Sequence, residues 1–290
     1  MDLEHTAIDR LKAASDMSLA IYDKPLSICY SGGKDSEVLL DLAIKAKIPM
    51  IVANNHTTAD APETVRHIRK ALSRLEEKGI KTLINYPTYK GEPTSMWKLI
   101  PQKLMPPTRL KRYCCEVLKE GFGKDAFIAT GVRWDESNKR KTRAIMELQI
   151  GKQKDRINLT NDNDDDRRLF ESCELKGSRV VNPIIDWKDE DIWAYCQSEK
   201  IDLNPLYYCG FKRVGCVGCA LAGTRGMLFE FSIFPQYKQM YMHAFERMIE
   251  NRKAKGKDDS GTMWETAEGV FHWWVEDGVL PGQEKLEGFE

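Results

Sequence analysis

Ser31-Gly32-Gly33-Lys34-Asp35-Ser36 decides how this chain is read. The apolar run Pro25-Leu26-Ser27-Ile28-Cys29-Tyr30 precedes it, and Glu37-Val38-Leu39-Leu40-Asp41-Leu42-Ala43-Ile44 follows with apolar positions at helical spacing. The pattern is strand, tight glycine turn, helix. Two glycines let a backbone approach a ligand closely and turn its N–H groups inward. The N-terminus of the next helix adds partial positive charge and unpaired donors. With Ser31, Ser36 and Lys34 as side-chain donors, the stretch suits an anion, and phosphate best. It lacks the glycine-to-Gly-Lys-Ser/Thr spacing of a Walker A loop. An ordinary strand-to-helix turn is the competing reading, and six matching positions in this context weigh against it.

Outward from the loop, short apolar runs alternate with amphipathic stretches. Strands are expected at 25–30, 48–53, 81–85, 126–130 and 179–185. Helices are expected at 5–22, from the loop to about Lys47, at 62–78, around Met96–Leu104, from Cys114 to about Gly121, from about Asp186, and over 227–255 as one helix or a pair. This alternation predicts an α/β fold: a doubly wound, five-stranded parallel sheet with a C-terminal helical extension. The expected division is a nucleotide-binding domain at 1–225 that includes the cysteine loop, then helices over 226–290 packed through Trp264, Phe271, Trp273 and Trp274. In such sheets ligands gather at the carboxyl ends of strands. The 31–36 loop, the Asn54–Asp60 segment and the Gly131–Ser137 loop lie at such ends. Residues 151–178, with the acidic run Asp162–Asp166 beside Arg167-Arg168, read as a solvated insertion.

Acidic and basic residues balance at 44 each, so no global field favours nucleic acid, although a local basic patch is still open. No apolar stretch approaches a membrane span, and the acidic N-terminus has no signal-peptide pattern. A cytoplasmic protein is expected, in which eight cysteines serve metal or catalysis rather than a disulfide framework.

Cys216-Val217-Gly218-Cys219 has the C-x-x-C spacing, and Cys114-Cys115 are adjacent. C-x-x-C alone suits zinc, an iron–sulfur cluster or a redox dithiol. Adjacent cysteines serve one tetrahedral zinc poorly, whereas a cluster of several irons accepts them. A 4Fe-4S cluster on Cys114, Cys115, Cys216 and Cys219 is the favoured reading, with zinc and free thiols behind it. Cys209 is a reserve ligand or a nearby thiol. Cys29, Cys173 and Cys196 read as small buried hydrophobes.

Ser31–Ser36 resembles the PP-loop of the adenine nucleotide alpha-hydrolase superfamily. Further segments narrow the resemblance to the PAPS reductase family: Ala61-Pro62-Glu63-Thr64; Gly131-Val132-Arg133-Trp134-Asp135-Glu136-Ser137 with Arg140; Asn182-Pro183-Ile184-Ile185-Asp186-Trp187; Asp191-Ile192-Trp193; Asn204-Pro205-Leu206-Tyr207; and Gly210 to Cys216. The match covers roughly residues 25–225. The paired cysteines plus C-x-x-C are similar to those of members that carry a 4Fe-4S cluster. Two departures from the sulfonucleotide reductases stand out. No cysteine follows Cys219, and the Gly32-Gly33-Lys34-Asp35 loop is intact, as in ATP-using members.

The resemblance therefore implies an ATP pyrophosphatase or adenylylating enzyme coupled to sulfur transfer or nucleic-acid modification. Nucleotide-binding residues would be Ser31, Gly32, Gly33, Lys34, Asp35, Ser36, Asp60, Gly131, Arg133 and Arg140, with Lys34, Asp35 and Arg133 catalytic. Mg²⁺ would be held by Asp35 or Asp60, and Glu136 would orient Arg133 or its loop. The basic stretch Lys103–Lys124 and the aromatic 86–97 region would line an acceptor groove. Expected partners are the adenine nucleotide, a nucleic-acid or protein acceptor, a sulfur donor or partner protein, and a second copy as a homodimer. The alternatives are a PAPS or APS reductase and a non-catalytic nucleotide-sensing module.

Overall fold

A computed structural model describes residues 2–119, 126–137, 140–149, 156–158 and 178–276. The Asp162–Asp166 run, Arg167-Arg168, Cys173 and Lys124 lie outside the described residues. In chain order the elements are α1 (Leu3–Tyr22), β1 (Leu26–Cys29), α2 (Lys34–Ala46), β2 (Met50–Asn55), α3 (Pro62–Glu77), β3 (Lys81–Asn85), β4 (Thr88–Tyr89), β5 (Glu92–Pro93), α4 (Met96–Lys103), α5 (Tyr113–Leu118), β6 (Phe127–Ala129), β7 (Met146–Gln149), β8 (Arg156–Asn158), β9 (Ser178–Val181), α6 (Asp189–Ser198), α7 (Gly223–Ile233), α8 (Pro235–Ala254) and α9 (Ala267–Val275). They form two units: Met1–Asn55 with Pro62–Asn85 and Phe122–Val214, and His56–Ala61 with Tyr86–Gly121 and Gly215–Glu290.

The first unit holds the sheet, in the order β3-β2-β1-β6-β9-β7-β8. β1 pairs parallel with β2 and β6, β2 with β3, and β6 with β9. β7 runs antiparallel to both β9 and β8. Among the described residues the sheet thus has seven strands, five parallel and two antiparallel, which corrects the expected five-stranded parallel sheet. The two additions escape the apolar-run criterion because β7 is Met-Glu-Leu-Gln, alternating rather than continuous, and β8 is a three-residue strand, Arg-Ile-Asn. Strand order reverses between β1 and β6, which is the switch point where a ligand crevice opens in such sheets. The 31–36 loop leaves β1 there, and the Gly131–Ser137 segment follows β6. Ile28, Val38, Leu39, Leu42, Val52, Phe127, Ala129 and Val181 are fully or almost fully buried around it. Each large aliphatic side chain buried this way contributes roughly 1.5–3 kcal/mol.

Among the described residues, the regular elements of the second unit are helices and the β4–β5 hairpin. Phe234-Pro235 separates α7 from α8, so the expected 227–255 segment is a pair, with Pro235 in the first turn, where a missing N–H costs nothing. The Trp274 ring lies 4.6 Å from Tyr241, tilted, and 5.4 Å from Phe245, edge to face, and Trp264 lies 4.8 Å from Trp273. All five of these rings are buried. The buried Trp274 N–H donates to Pro107 O at 2.6 Å, so its polar end is satisfied. No helix among the described residues is long and apolar enough to cross a membrane.

Candidate functional site

Gly33 caps α2 in an extended conformation, and Gly32 before it has φ +71°. A Cβ on Gly32 would stand 2.8 Å from Ile68 Cγ1, so both conformation and space demand glycine. Ser36 Oγ donates to Gly33 O at 2.8 Å and accepts from the Ser31 N–H and hydroxyl at 3.2 Å each. Tyr207 OH accepts from the Lys34 N–H at 2.9 Å, and Asn204 Nδ2 donates to Gly32 O at 3.3 Å. Among the described residues, the N–H groups of Gly32 and Gly33 donate no hydrogen bond. The turn is held by its neighbours while two donors stay open, which is the condition for anion binding.

Beside it, two cations and two carboxylates alternate in a ring. Lys34 Nζ lies 3.3 Å from Asp35 and 2.9 Å from Asp189. Arg133 lies 2.6 Å from Asp35 through Nε and 3.0 Å from Asp189 through Nη2. Lys34 is 7% and Arg133 2% exposed. Burial opposes the charge of Asp189, but the Lys34 hydrogen bond and charge, then Arg133, hold its carboxyl below the usual value. Trp193 donates its indole N–H to the other Asp189 oxygen at 3.0 Å. Gly131 makes room for this: a Cβ there would stand 3.0 Å from Asp35 O. Glu136 accepts the Arg133 N–H at 3.1 Å and pairs with Arg140, so it orients the loop, as expected. The structure places Arg140 on Glu136 rather than in the ring.

Asp60 belongs to the second unit and stands with the cysteines. It forms an antiparallel bridge with Cys216, Val217 N–H donates to Ala59 O at 2.8 Å, and Tyr237 OH donates to Asp60 O at 2.6 Å. Gly218, φ +71°, completes the Cys216–Cys219 turn, where a Cβ would lie 2.6 Å from Phe231 Cζ and 2.9 Å from Tyr241 Cε2. Its N–H donates to the buried Glu230 carboxylate at 2.7 Å, and Tyr241 OH donates to Val217 O at 3.0 Å. Cys114 donates to Cys115, so its own thiol is pushed up, by that bond and then by burial, with Cys216 and Cys219 adding to the effect. Cys115 is held well below the usual thiol range by the same bond, helped by Lys119 and Arg112. Burial pushes Cys216 up to about 12. Cys216, then Asp60, Cys115 and Cys219, keep Lys119 charged.

The four thiols therefore share one electrostatic neighbourhood. Among the described residues no group of three or more His, Cys, Asp or Glu is arranged to hold a metal ion. Cys209 is exposed and belongs to the first unit. Burial pushes Cys29 up to about 12 and Cys196 to about 11, which suits inert thiols.

Residues 25–222 match the model of the phosphoadenosine phosphosulfate reductase domain. The chain belongs to that family. An uncharacterized protein of Methanocaldococcus jannaschii is 25% identical to this family member, over 91% of this chain and 58% of its own length. Sulfate adenylyltransferase subunit 2 of Streptomyces lavendulae is 26% identical, over 67% of this chain and 59% of its own. The chain thus spans little more than half the length of either relative. The solved U34-tRNA thiolase NcsA from Methanococcus maripaludis, with its 4Fe-4S cluster, matches at 15% identity and TM-score 0.45, covering 90% of this chain and 85% of that one.

Several residues around the loop and the cysteines had no role assigned from sequence. Asp189 reads as a helix-start acid suited to the α6 dipole, yet it closes the ring of charges. Asn204 and Tyr207 sit in a recognised motif, and only the fold brings them to the loop. Lys119, Glu230 and Tyr241 carry no spacing signal that points to the cysteines.

Proposed function

We propose that the chain is an ATP α-hydrolase that adenylylates an acceptor. The observation that carries this reading is the ring of Lys34, Asp35, Arg133 and Asp189 beside a loop whose Gly32 and Gly33 N–H groups stay open. ATP binds with its β,γ-phosphates on Ser31–Ser36. An acceptor oxygen attacks the α-phosphorus, and the bond to the pyrophosphate oxygen breaks. Lys34 and the open N–H groups meet the charge that develops on the leaving pyrophosphate. Arg133 grips phosphate oxygens or the acceptor through its planar fork. Asp35 would hold Mg²⁺, whose charge would neutralise the phosphates when bound. One relative is named an adenylyltransferase, which fits adenylyl transfer here.

Cys114, Cys115, Cys216 and Cys219 would hold an iron–sulfur cluster. Their donor chemistry supports this: four thiols act on one another, Cys115 ionises readily, and Lys119 supplies compensating charge. Adjacent cysteines such as Cys114 and Cys115 serve one tetrahedral zinc poorly, whereas a cluster of several irons accepts them, so this donor set suits the cluster better than a single ion. When bound, the cluster supplies electron or sulfur chemistry, or ties the loops together. Sulfur transfer or nucleic-acid modification is the proposed coupled outcome, and Lys103 over the Tyr89 ring at 4.4 Å is one basic–aromatic contact suited to a base or phosphate.

The deciding experiment is ATP–pyrophosphate exchange by anaerobically purified protein, with and without nucleic acid, with Lys34→Ala as control. Exchange that Lys34→Ala abolishes supports the reading. Sulfite release from either sulfonucleotide with thioredoxin would replace it with a reductase, and absence of exchange with every acceptor would favour a sensing module.

A further inference from the structure

We propose that Glu37 is a positioning residue that braces both ends of the phosphate loop through one buried carboxylate oxygen. The proposal rests on the reading that Ser31–Ser36 holds nucleotide phosphate. Tyr30 and Glu37 are the residues that immediately flank that stretch. Tyr30 OH donates to Glu37 Oε1 at 2.5 Å, and His67 Nε2 meets the same oxygen at 2.6 Å. With Glu37 Oε1 as the acceptor, this contact puts the His67 hydrogen on Nε2. Tyr30, Glu37 and His67 are 2%, 8% and 7% exposed.

Each partner is itself fixed. The Tyr30 N–H donates to Ala53 O at 2.8 Å, and Tyr30 O accepts from Asn54 Nδ2 at 2.8 Å, which ties the residue to β2. His67 and Ile68 of α3 back Gly32, at 3.6 Å and 2.8 Å from where its Cβ would be. One oxygen thus links the residue entering the loop, the first turn of α2 that leaves it, and the helix behind its middle. A glutamate that only complemented the α2 dipole would do so from the surface. This one is buried and receives donors from two other segments, and a buried carboxylate is tolerated only with such partners. Losing either donor lets the loop move relative to α2, and its open N–H groups lose their aim at a phosphate.

The test compares wild type, Tyr30→Phe, Glu37→Gln and Lys34→Ala in the full chain. Readouts are pyrophosphate affinity by calorimetry, amide hydrogen exchange across 31–36, and melting temperature. Tyr30→Phe keeps the ring and removes only the hydroxyl, so it remains informative if Glu37→Gln folds poorly. The expected result is pyrophosphate affinity about tenfold weaker in Tyr30→Phe, the size of one lost hydrogen bond. Faster exchange confined to the loop should accompany it. If Tyr30→Phe and Glu37→Gln lower the melting temperature but bind pyrophosphate like wild type with unchanged loop exchange, Glu37 is merely structural and the brace is overturned. If wild type itself binds no pyrophosphate and Lys34→Ala changes nothing, the phosphate reading falls and takes the brace with it.

Discussion

The Asp189 carboxylate lies 2.9 Å from the Lys34 ammonium, across 155 residues of chain, and the same oxygen meets Arg133 at 3.0 Å. A carboxylate thus holds the two buried cations that a phosphate would use. Asp35 repeats the arrangement on the other side, so the cations are matched before any nucleotide arrives.

Asp189→Asn should therefore bind Mg²⁺-free pyrophosphate about tenfold tighter, since one competing charge on a charge-assisted pair is removed. Calorimetry in the presence of a chelator measures this, and unchanged affinity would show that Asp189 does not compete. Its carboxyl sits below the ordinary range near pH 4, so it stays ionised at neutral pH. Pyrophosphate affinity should accordingly show no step from Asp189 between about pH 6 and 8.

Gly32→Ala places a methyl group in a left-handed conformation and against Ile68. The conformational cost and the overpacking together predict a loss of roughly 2–4 kcal/mol. Denaturant unfolding reads the loss directly, and a change below about 0.5 kcal/mol, the ordinary surface level, would mean the turn relaxes freely.

The Cys216–Cys219 turn is clamped by Glu230 at the Gly218 N–H and by Tyr241 at Val217 O. Gly218→Ala drives a methyl group into Phe231 and Tyr241, and Glu230→Leu leaves a buried N–H unpaired. Anaerobic wild-type protein should be brown with iron and sulfide in equal amounts, and both variants should retain less than half of that iron. Stoichiometric zinc without iron in the wild type would refute the cluster assignment.

Arg252 grips Asp259 with two bonds of 2.6 Å, and Asp259 is 7% exposed. The Arg252 hydrogen bonds hold the Asp259 carboxyl below its ordinary value. A depressed carboxyl stabilises the fold above its unfolded value near pH 3.9 and loses that contribution as pH falls through its folded value. Asp259→Asn should thus be destabilised at pH 7, by about 3 kcal/mol, the scale for breaking a buried pair. The gap to wild type should close below about pH 4. Thermal unfolding from pH 7 to pH 3 follows it, and a gap constant with pH would sink the assignment.

Much of the parallel sheet was legible because parallel strands are short continuous apolar runs. Leu26–Cys29, Lys81–Asn85 and Phe127–Ala129 stand within a residue or two of where those runs place them. β7 and β8 were not, since alternating or charged short strands look like the polar segments around them. The phosphate loop was legible for a different reason: glycine at a left-handed position, a lysine and a helix start are local requirements, written in consecutive residues.

By itself the sequence determined the turn at Ser31–Ser36, the alternation that makes an α/β sheet, and the C-x-x-C turn, because each depends on backbone freedom and periodicity within a few residues. Only the tertiary structure decided what the loop faces. Asp189, Asn204 and Tyr207 lie more than 150 positions from Gly32 and Lys34, and crossovers bring them there. It also put Asp60 with the cysteines and buried Glu37 between Tyr30 and His67. The physical reason is range: a chain writes its local geometry in adjacent residues, whereas the partners of a buried charge are chosen by whichever segments the sheet order folds against it.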